Sequence, residues 1–302
     1  WSYGCKPPTE GADLLDEQLR LANAYWNTLV DIERWRREEI TQAQCEIIPG
    51  FAPLAERERA LQEEFETARR AVRDKRGRAG KDAEADTSAE AAVVREVRGR
   101  LRTVWNEMKA LKEPYRENAA LLTRYAEISA QLYVQRNLQY HEFSSLFWPT
   151  KNAVAKAADG WALEPIPPRP RRYEGEGRAV AQIIGGMPAA NLSRGTFVQI
   201  DPVHEDTYDL TRHARRLASR THARLRVGTV SGTIRPVWVE LPVVMHRPLP
   251  ADGRIMNAWI LRTKVGPHFD YALQFSLESQ TFRAPTKPMG VGTICINIGW
   301  RR

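Results

Sequence analysis

The hydrophobic rhythm of the chain changes once. Through about the first 160 residues, apolar positions recur every third or fourth residue, the spacing that stacks side chains on one helix face. Beyond that they alternate, or run together in β-branched stretches. In the first part, Leu15, Leu19, Ala22, Trp26 and Leu29 predict a helix running to about Gln44, with Thr9 or Asp13 as its N-cap and Trp26 in the core. Two further stripes follow: Leu54, Leu61, Phe65, Ala68 and Val72, then Val93, Val97, Leu101, Val104, Met108 and Leu111, with Trp105 on the second as another core residue. The charged stretch RDKRGRAGKDAEADTSAE lies between them and ends in a capping-box pattern, Thr87-Ser88-Ala89-Glu90, so the pair reads as an antiparallel hairpin. Arms of about 24 residues would reach roughly 36 Å, about one turn of a nucleic-acid duplex. The same stripes also fit a plain coiled-coil arm whose charges keep it soluble. A fourth stripe, Ala119 to Leu132, and a short helix between Pro149 and Gly160 complete the helical part.

Short alternating or β-branched runs bracket these helices. WSYGCK reads as a strand cut off by Pro7-Pro8, and WALEPIPPRP, with four prolines, reads as a stiff linker. After it, Ala179 to Ile184, Thr196 to Ile200, Leu225 to Thr229, Val237 to Met245, Ile255 to Val265 and Phe269 to Leu277 predict strands. The last two meet at Gly266-Pro267 as a hairpin, with Trp259, Leu261 and Val265 alternating against Tyr271, Leu273 and Phe275. An α+β chain with several strands of this length is expected to form a small oligonucleotide-binding-type β-barrel. The apolar run VGTICINIGWRR opens one more strand, with Asn297 where it turns polar.

Charge adds what periodicity cannot. The net charge of +8 is unevenly spread, because residues 1–160 hold 25 Lys and Arg against 26 Asp and Glu, whereas residues 161–302 hold 20 against 11. A basic half built mainly from Arg and interleaved with aromatics fits a phosphate-binding surface; the alternative is a basic domain with scattered surface charge. PRPRRYEGEGR puts Arg169, Arg171, Arg172 and Tyr173 at the linker, where guanidiniums beside an aromatic could take phosphates and a stacked base. TRHARRLASRTHARLR adds Arg212, Arg215, Arg216, Arg220, Arg224 and Arg226; read as a helix, its first part makes a basic ridge from Arg212, Arg215, Arg216 and His213 or Arg220. Asn23 and Asn27 flank Trp26 and could face a groove, where asparagine can read adenine, or lie on an ordinary helix surface.

Other chemistries are thinly represented. Cys5, Cys45 and Cys295 show no Cys-x-x-Cys spacing, which argues against a zinc ribbon or disulfide framework and for a reducing compartment. The six histidines form no His-x-x-x-His pair with a third ligand, so His213 and His222 read as surface or phosphate-side groups. No nucleophile elbow, phosphate loop or dinucleotide fingerprint occurs, Gly175-Glu176-Gly177 reads as a turn, and no run of about 18 apolar residues or signal pattern predicts a membrane partner.

Six segments in order, YGCKPPTEG, NAYWNTLVDIER, LFWPTKNAVAKA, RRYEGEGRAVAQI, WVELPVVMHRPLPAD and INIGWR, resemble the N-terminal half of compact type V CRISPR effectors, most closely the type V-M (V-U1) subgroup. The resemblance implies an α+β architecture in which a helical recognition lobe with a long hairpin is inserted into a wedge β-barrel, followed by the first strand of an RNase H-like, RuvC-type domain. It divides the chain into a first wedge strand (1–8), recognition lobe and linker (9–172), wedge barrel (173–289) and the start of the nuclease-like domain (290–302). It implies a prokaryotic, cytoplasmic, monomeric ribonucleoprotein that binds a guide RNA (crRNA) and target double-stranded DNA, with a flanking motif read on the duplex and base pairing supplying specificity. By the same implication, Lys6, Asn23, Asn27, Trp148 and Asn152 would approach the flanking-motif DNA. Arg169, Arg171, Arg172, Tyr173, Arg212, Arg215, Arg216, Arg220, His246 and Arg247 would hold guide RNA or heteroduplex. Asn297 stands where the family's first nuclease carboxylate is expected, and a neutral amide holds magnesium poorly. The expectation is therefore occupancy of DNA without cleavage, with no cofactor in this chain and magnesium or zinc only in a C-terminal part beyond it. Rival expectations are an active RNA-guided nuclease, guide-precursor processing, and a non-CRISPR nucleic-acid-binding scaffold.

Overall fold

The computed structural model describes residues 1–78, 88–164, 166, 168–201, 203, 205–230, 233, 235–250 and 252–279. The strand expected from residue 290, with Cys295 and Asn297, lies outside them. The chain forms two compact units. One contains Trp1–Asn27, Phe143–Gly160 and the described residues from Pro170 onward; the other contains Thr28–Glu142 and Trp161–Arg169.

The first unit is built on one seven-stranded sheet: β1 (Ser2–Cys5), β2 (Gly177–Pro188), β3 (Val198–Ile200), β4 (Arg220–Thr229), β5 (Pro236–Val244), β6 (Arg254–Val265) and β7 (His268–Glu278). The spatial order is β2-β6-β7-β1-β5-β4-β3 and every neighbouring pair is antiparallel. Although β2 and β4 stand far apart in that order, they approach within contact distance, so the sheet curls on itself as twisted strands do. Each strand sends alternate residues into one interior: Tyr3, Ala181, Val198, Leu225, Leu241, Ile260 and Phe275 are all buried there. Leu15 and Leu19 of α1 (Ala12–Ile47) enter the same core.

Three sequence expectations need correction in this unit. The predicted face of β7 holds at Leu273 and Phe275, but that of β6 is shifted by one residue: Ala258 and Ile260 point inward with them, while Trp259 points outward and donates to Gln274 Oε1 at 2.5 Å. Both registers alternate perfectly, and only packing against the curled interior chooses between them. Neither Thr9 nor Asp13 starts α1. Gly11 precedes it with φ +76°, and a Cβ there would lie 2.7 Å from the Trp238 carbonyl oxygen, so no side chain fits. Thr9 instead donates its backbone N–H to Glu240 O at 3.0 Å, as Lys6 does to Pro242 O at 2.9 Å, so the chain past Pro7-Pro8 still tracks β5.

The second unit is helical: the rest of α1, α2 (Phe51–Arg78), α3 (Ser88–Lys112) and α4 (Ala119–Glu142). The hairpin expectation holds for α2 and α3, whose shared core is Leu61, Phe65, Val97, Leu101 and Val104. Val94, not Val93, packs against this core, and Val93 is exposed. Arg57–Glu107, Glu64–Arg100 and Lys75–Glu90 pair at 3.4, 2.9 and 2.6 Å, which fixes the antiparallel register. Trp105 is half-buried and donates to Glu58 Oε1 at 2.7 Å, so it borders the core with its polar edge engaged. The linker is not wholly extended, because Trp161 is buried and its carbonyl accepts from Arg37 at 2.7 Å.

Candidate nucleic-acid interface

Two surfaces of the first unit carry clustered arginines, the second of them together with Glu174 and Glu176. One begins on α6 (Arg212–Ala218), which the sequence placed correctly but extended too far. Arg220 belongs to β4, where the alternation Arg220, His222, Arg224 against Thr221, Ala223, Leu225 leaves the first set exposed and the second buried. Successive outward residues on a strand stand about 6.6 Å apart. The run RTHARLRV carries this two-residue period in the sequence, so the pattern that could have identified the strand was present beside the helical one.

Pairing between β4 and β5 then brings a distant segment to this surface. Arg220 lies opposite Val244, and Met245 N–H donates to the Ser219 carbonyl at 2.9 Å, so His246 and Arg247 emerge beside the α6–β4 corner. Burial lowers the His246 pKa most, and the positive charges of Arg247, Arg212 and Arg215 lower it further. The imidazole is therefore held toward its neutral form by burial first and by these cations second, against a backbone hydrogen bond with Val244 that works the other way. Tyr3 is 5.5 Å away ring to ring, and Arg247 lies 5.1 Å over the Trp1 ring. Arg224 contributes less charge, because Glu240 accepts from its Nε at 2.8 Å. Arg226 differs again: its guanidinium sits 5.8 Å from the Phe147 ring and 5.6 Å from that of Phe197, and its Nη2 donates to Thr229 at 2.8 Å.

The second surface is a cleft of about 470 Å³ between the start of α1, α5 (Trp148–Asp159) and the segment from Arg171 to Val180. Ala22, Ala153 and Ala157 keep its walls low, while Trp26, Arg171, Arg172 and Arg178 supply the aromatic and cationic groups. Trp26 is half-buried, not core: the Arg171 guanidinium covers its ring at 3.7 Å. The asparagines expected to read DNA hold this arrangement. Asn27 accepts from Arg171 N–H at 2.7 Å and donates to Arg171 O at 2.9 Å, and Asn23 donates to the same carbonyl at 3.0 Å. Asn27 therefore spends both ends of its amide on backbone and has no bidentate edge left for adenine.

The remaining candidates divide in the same way. Tyr173 is not an open stacking platform: its hydroxyl donates toward Asp16 Oδ1 at 2.8 Å and accepts from Arg262 at 2.7 Å. Its pKa is pushed up to about 12, by burial first and then by its hydrogen bond to Asp16. Arg262, buried, also pairs with Asp16 and donates to Gly175 O, so this knot ties α1 to β6. Arg169 belongs to the other unit, where it pairs with Glu66. Lys6 is exposed, and Trp148 is half-buried with its ring 6.2 Å from Phe197. Asn152 is half-buried on α5. Sequence reading missed Arg178, which lies 5.5 Å over the outward-facing Trp259, because one arginine after a glycine turn gives no local signal.

Among the described residues no group of three or more His, Cys, Asp or Glu side chains could hold a metal ion, and no helix is long and apolar enough to cross a membrane. No family model matches the chain. It is similar to proteins called CRISPR-associated DNA-binding protein Cas12m. The one from Thermanaerosceptrum fracticalcis is 31% identical over 319 residues, an alignment covering 99% of this chain and 50% of that protein. Those from Allomeiothermus silvanus and Pelobacter propionicus are 24% and 25% identical, covering 100% and 95% of this chain and 50% and 46% of theirs. The chain thus spans about half the length of the curated relatives it matches.

Proposed function

Because the chain belongs to the family of CRISPR-associated DNA-binding proteins called Cas12m, we propose that it binds guide RNA and target double-stranded DNA as part of a type V-M effector. In this reading the curled sheet is the wedge barrel and the helices of the second unit form the recognition lobe. Guide–target pairing supplies the sequence specificity, and the protein holds backbone and duplex shape. The effector silences its target by occupying it, a reading that rests on the amide Asn297 at the position resembling the first nuclease carboxylate.

One observation carries the RNA-binding part: Arg212, Arg215 and Arg220 converge with His246 and Arg247 at one corner of the sheet, although the two groups are separated by a whole hairpin in sequence. A cationic surface assembled from separate segments is suited to a run of phosphates. The cleft supports the same reading, with Arg171 stacked on Trp26 at 3.7 Å, a cation–aromatic pair of the kind on which bases stack.

The test is the salt dependence of RNA binding by the 302-residue chain. Replacing Arg212, Arg216 and Arg220 by Gln should flatten the slope of log K against log salt by about 2, at roughly 0.7 per lost contact with single-stranded RNA. An unchanged slope removes this corner from the interface. For the effector as a whole, incubation with guide, labelled target and magnesium should give binding without strand cleavage; efficient cleavage refutes occupancy as the mechanism.

A further inference from the structure

The α2–α3 hairpin has two unlike flanks. On α3 the core residues Val94, Val97, Leu101, Val104, Met108 and Leu111 form the buried stripe. Each is followed by one residue of a second stripe: Arg95, Arg98, Arg102, Trp105, Lys109 and Lys112. Its spacing alternates three and four, so it runs along one edge of the hairpin interface over roughly 26 Å. Across the interface Arg69 of α2 joins it, because Arg69 and Arg98 approach the same Phe65 ring at 5.6 and 5.7 Å. The opposite edge is electrically closed, since it carries the Arg57–Glu107, Glu64–Arg100 and Lys75–Glu90 pairs.

On the open edge, none of Arg69, Arg95, Arg98, Arg102, Lys109 and Lys112 pairs with a carboxylate among the described residues, and all but Lys112 are exposed. Glu66 and Glu58, on the same side of α2, are already used: Glu66 by Arg169, and Glu58 by Trp105 and Gln62. Packing does not require such an asymmetry. Hairpin stability needs the shared core and is served equally well by mixed charge on both edges.

We propose that this edge is a rail for the phosphate backbone of duplex DNA, gripping it without reading sequence and without a guide. Cations placed about 4.5–6 Å apart along a straight helix, with one gap of about 10.5 Å where Trp105 stands between Arg102 and Lys109, match a rigid polyanion, and a duplex holds its phosphates in place over that length where a single strand does not. A single strand would also call for a series of open aromatics, whereas Trp105 is half-buried with its N–H held by Glu58. DNA is the duplex the effector meets before any guide pairing occurs. The choice of DNA rests on the function proposed above, but the residues lie in the other unit and the contact needs no RNA, so this rail can fail while the arginine corner of the sheet stands.

Two triple variants of equal charge change test it. Arg95→Gln/Arg102→Gln/Lys109→Gln removes three rail cations and leaves Arg69 and Arg98 on Phe65, so the core contact survives; Arg57→Gln/Lys75→Gln/Arg100→Gln removes three cations from the closed edge. Binding of the guide-free chain to a 40-base-pair duplex of arbitrary sequence is measured across salt concentrations, with circular dichroism confirming the fold of both variants. The rail variant should bind at least about tenfold more weakly at 0.1 M salt, with a slope shallower by about 2.7, while the closed-edge variant changes little. Equal losses in both would show a net-charge effect and overturn the proposal. So would a loss confined to single-stranded RNA or to an RNA–DNA hybrid of the same length.

Discussion

His246 shows how a residue acquires meaning from neighbours that the sequence keeps far away. In the free protein its protonation is opposed by burial and by Arg247, Arg212 and Arg215. A phosphate seated among those cations would cancel the repulsion and raise the histidine pKa in the complex. The bound form then takes up protons more readily than the free form, so binding should tighten as pH falls through the ordinary histidine range. We expect RNA affinity measured between pH 5.5 and 8 to rise toward the acid end, and His246→Gln to flatten that rise while keeping most of the affinity at pH 8. A pH profile identical in both proteins would separate His246 from the phosphate site. Asn27 teaches the opposite lesson. Its type and position suit base reading, yet its amide is consumed by the Arg171 backbone, and it fixes where Arg171 lies against Trp26.

At the scale of elements, α1 is held by a buried ion cluster. Glu33 is fully buried and accepts from Arg36 at 2.6 and 2.8 Å and from Arg37 at 2.8 Å, while Arg37 reaches on to the carbonyls of Trp161 and Glu164. Burial pushes the Glu33 carboxyl up, but the hydrogen bonds and charges of the two arginines outweigh it and leave the pKa below its ordinary value of 4.5. A lowered carboxylate pKa contributes stability that is complete above the unfolded value and disappears as pH falls through the folded one. Glu33→Gln should therefore cost roughly 3 kcal/mol at pH 7 in denaturant unfolding, since two arginines lose their counterion. The difference between variant and parent should begin to shrink as pH falls below the ordinary value of 4.5 and disappear once pH passes the lower folded value, where the parent's own carboxylate is neutralised. A constant difference across that range would mean that shape, not charge, holds the cluster. Strand β4 makes the complementary point about elements. Arg212 to Arg226 contains both a helical and a two-residue period, and the chain uses one after the other, turning at the buried Ser219.

For the whole molecule, the division into two units cuts across element type: the start of α1 and all of α5 belong with the sheet, and the linker's beginning belongs with the helices. Separate cores, one around Leu225, Leu241 and Ile260 and one around Phe65, Leu101 and Val104, give each unit its own cooperative unfolding. Hydrogen exchange on Glu33→Gln should accordingly speed amides within Thr28–Glu142 and leave β4 to β7 near their parent rates; equal acceleration in both would mean one cooperative block. The sequence by itself determined the elements, the hairpin, nearly every strand and the basic bias of the later part, because each follows from short-range periodicity, Gly and Pro placement, or composition. The resemblance to type V-M effectors was legible for the same reason, being carried by contiguous segments. Tertiary structure alone decided which face of β6 is inside, that Gly11 precedes α1, that Trp26 lies beneath Arg171 and not in the core, and that Arg220 and Arg247 share a corner. Those outcomes depend on contacts between residues remote in sequence, where two registers or two roles are equally consistent with local pattern. Only closure of the curled sheet around one interior makes them differ in energy.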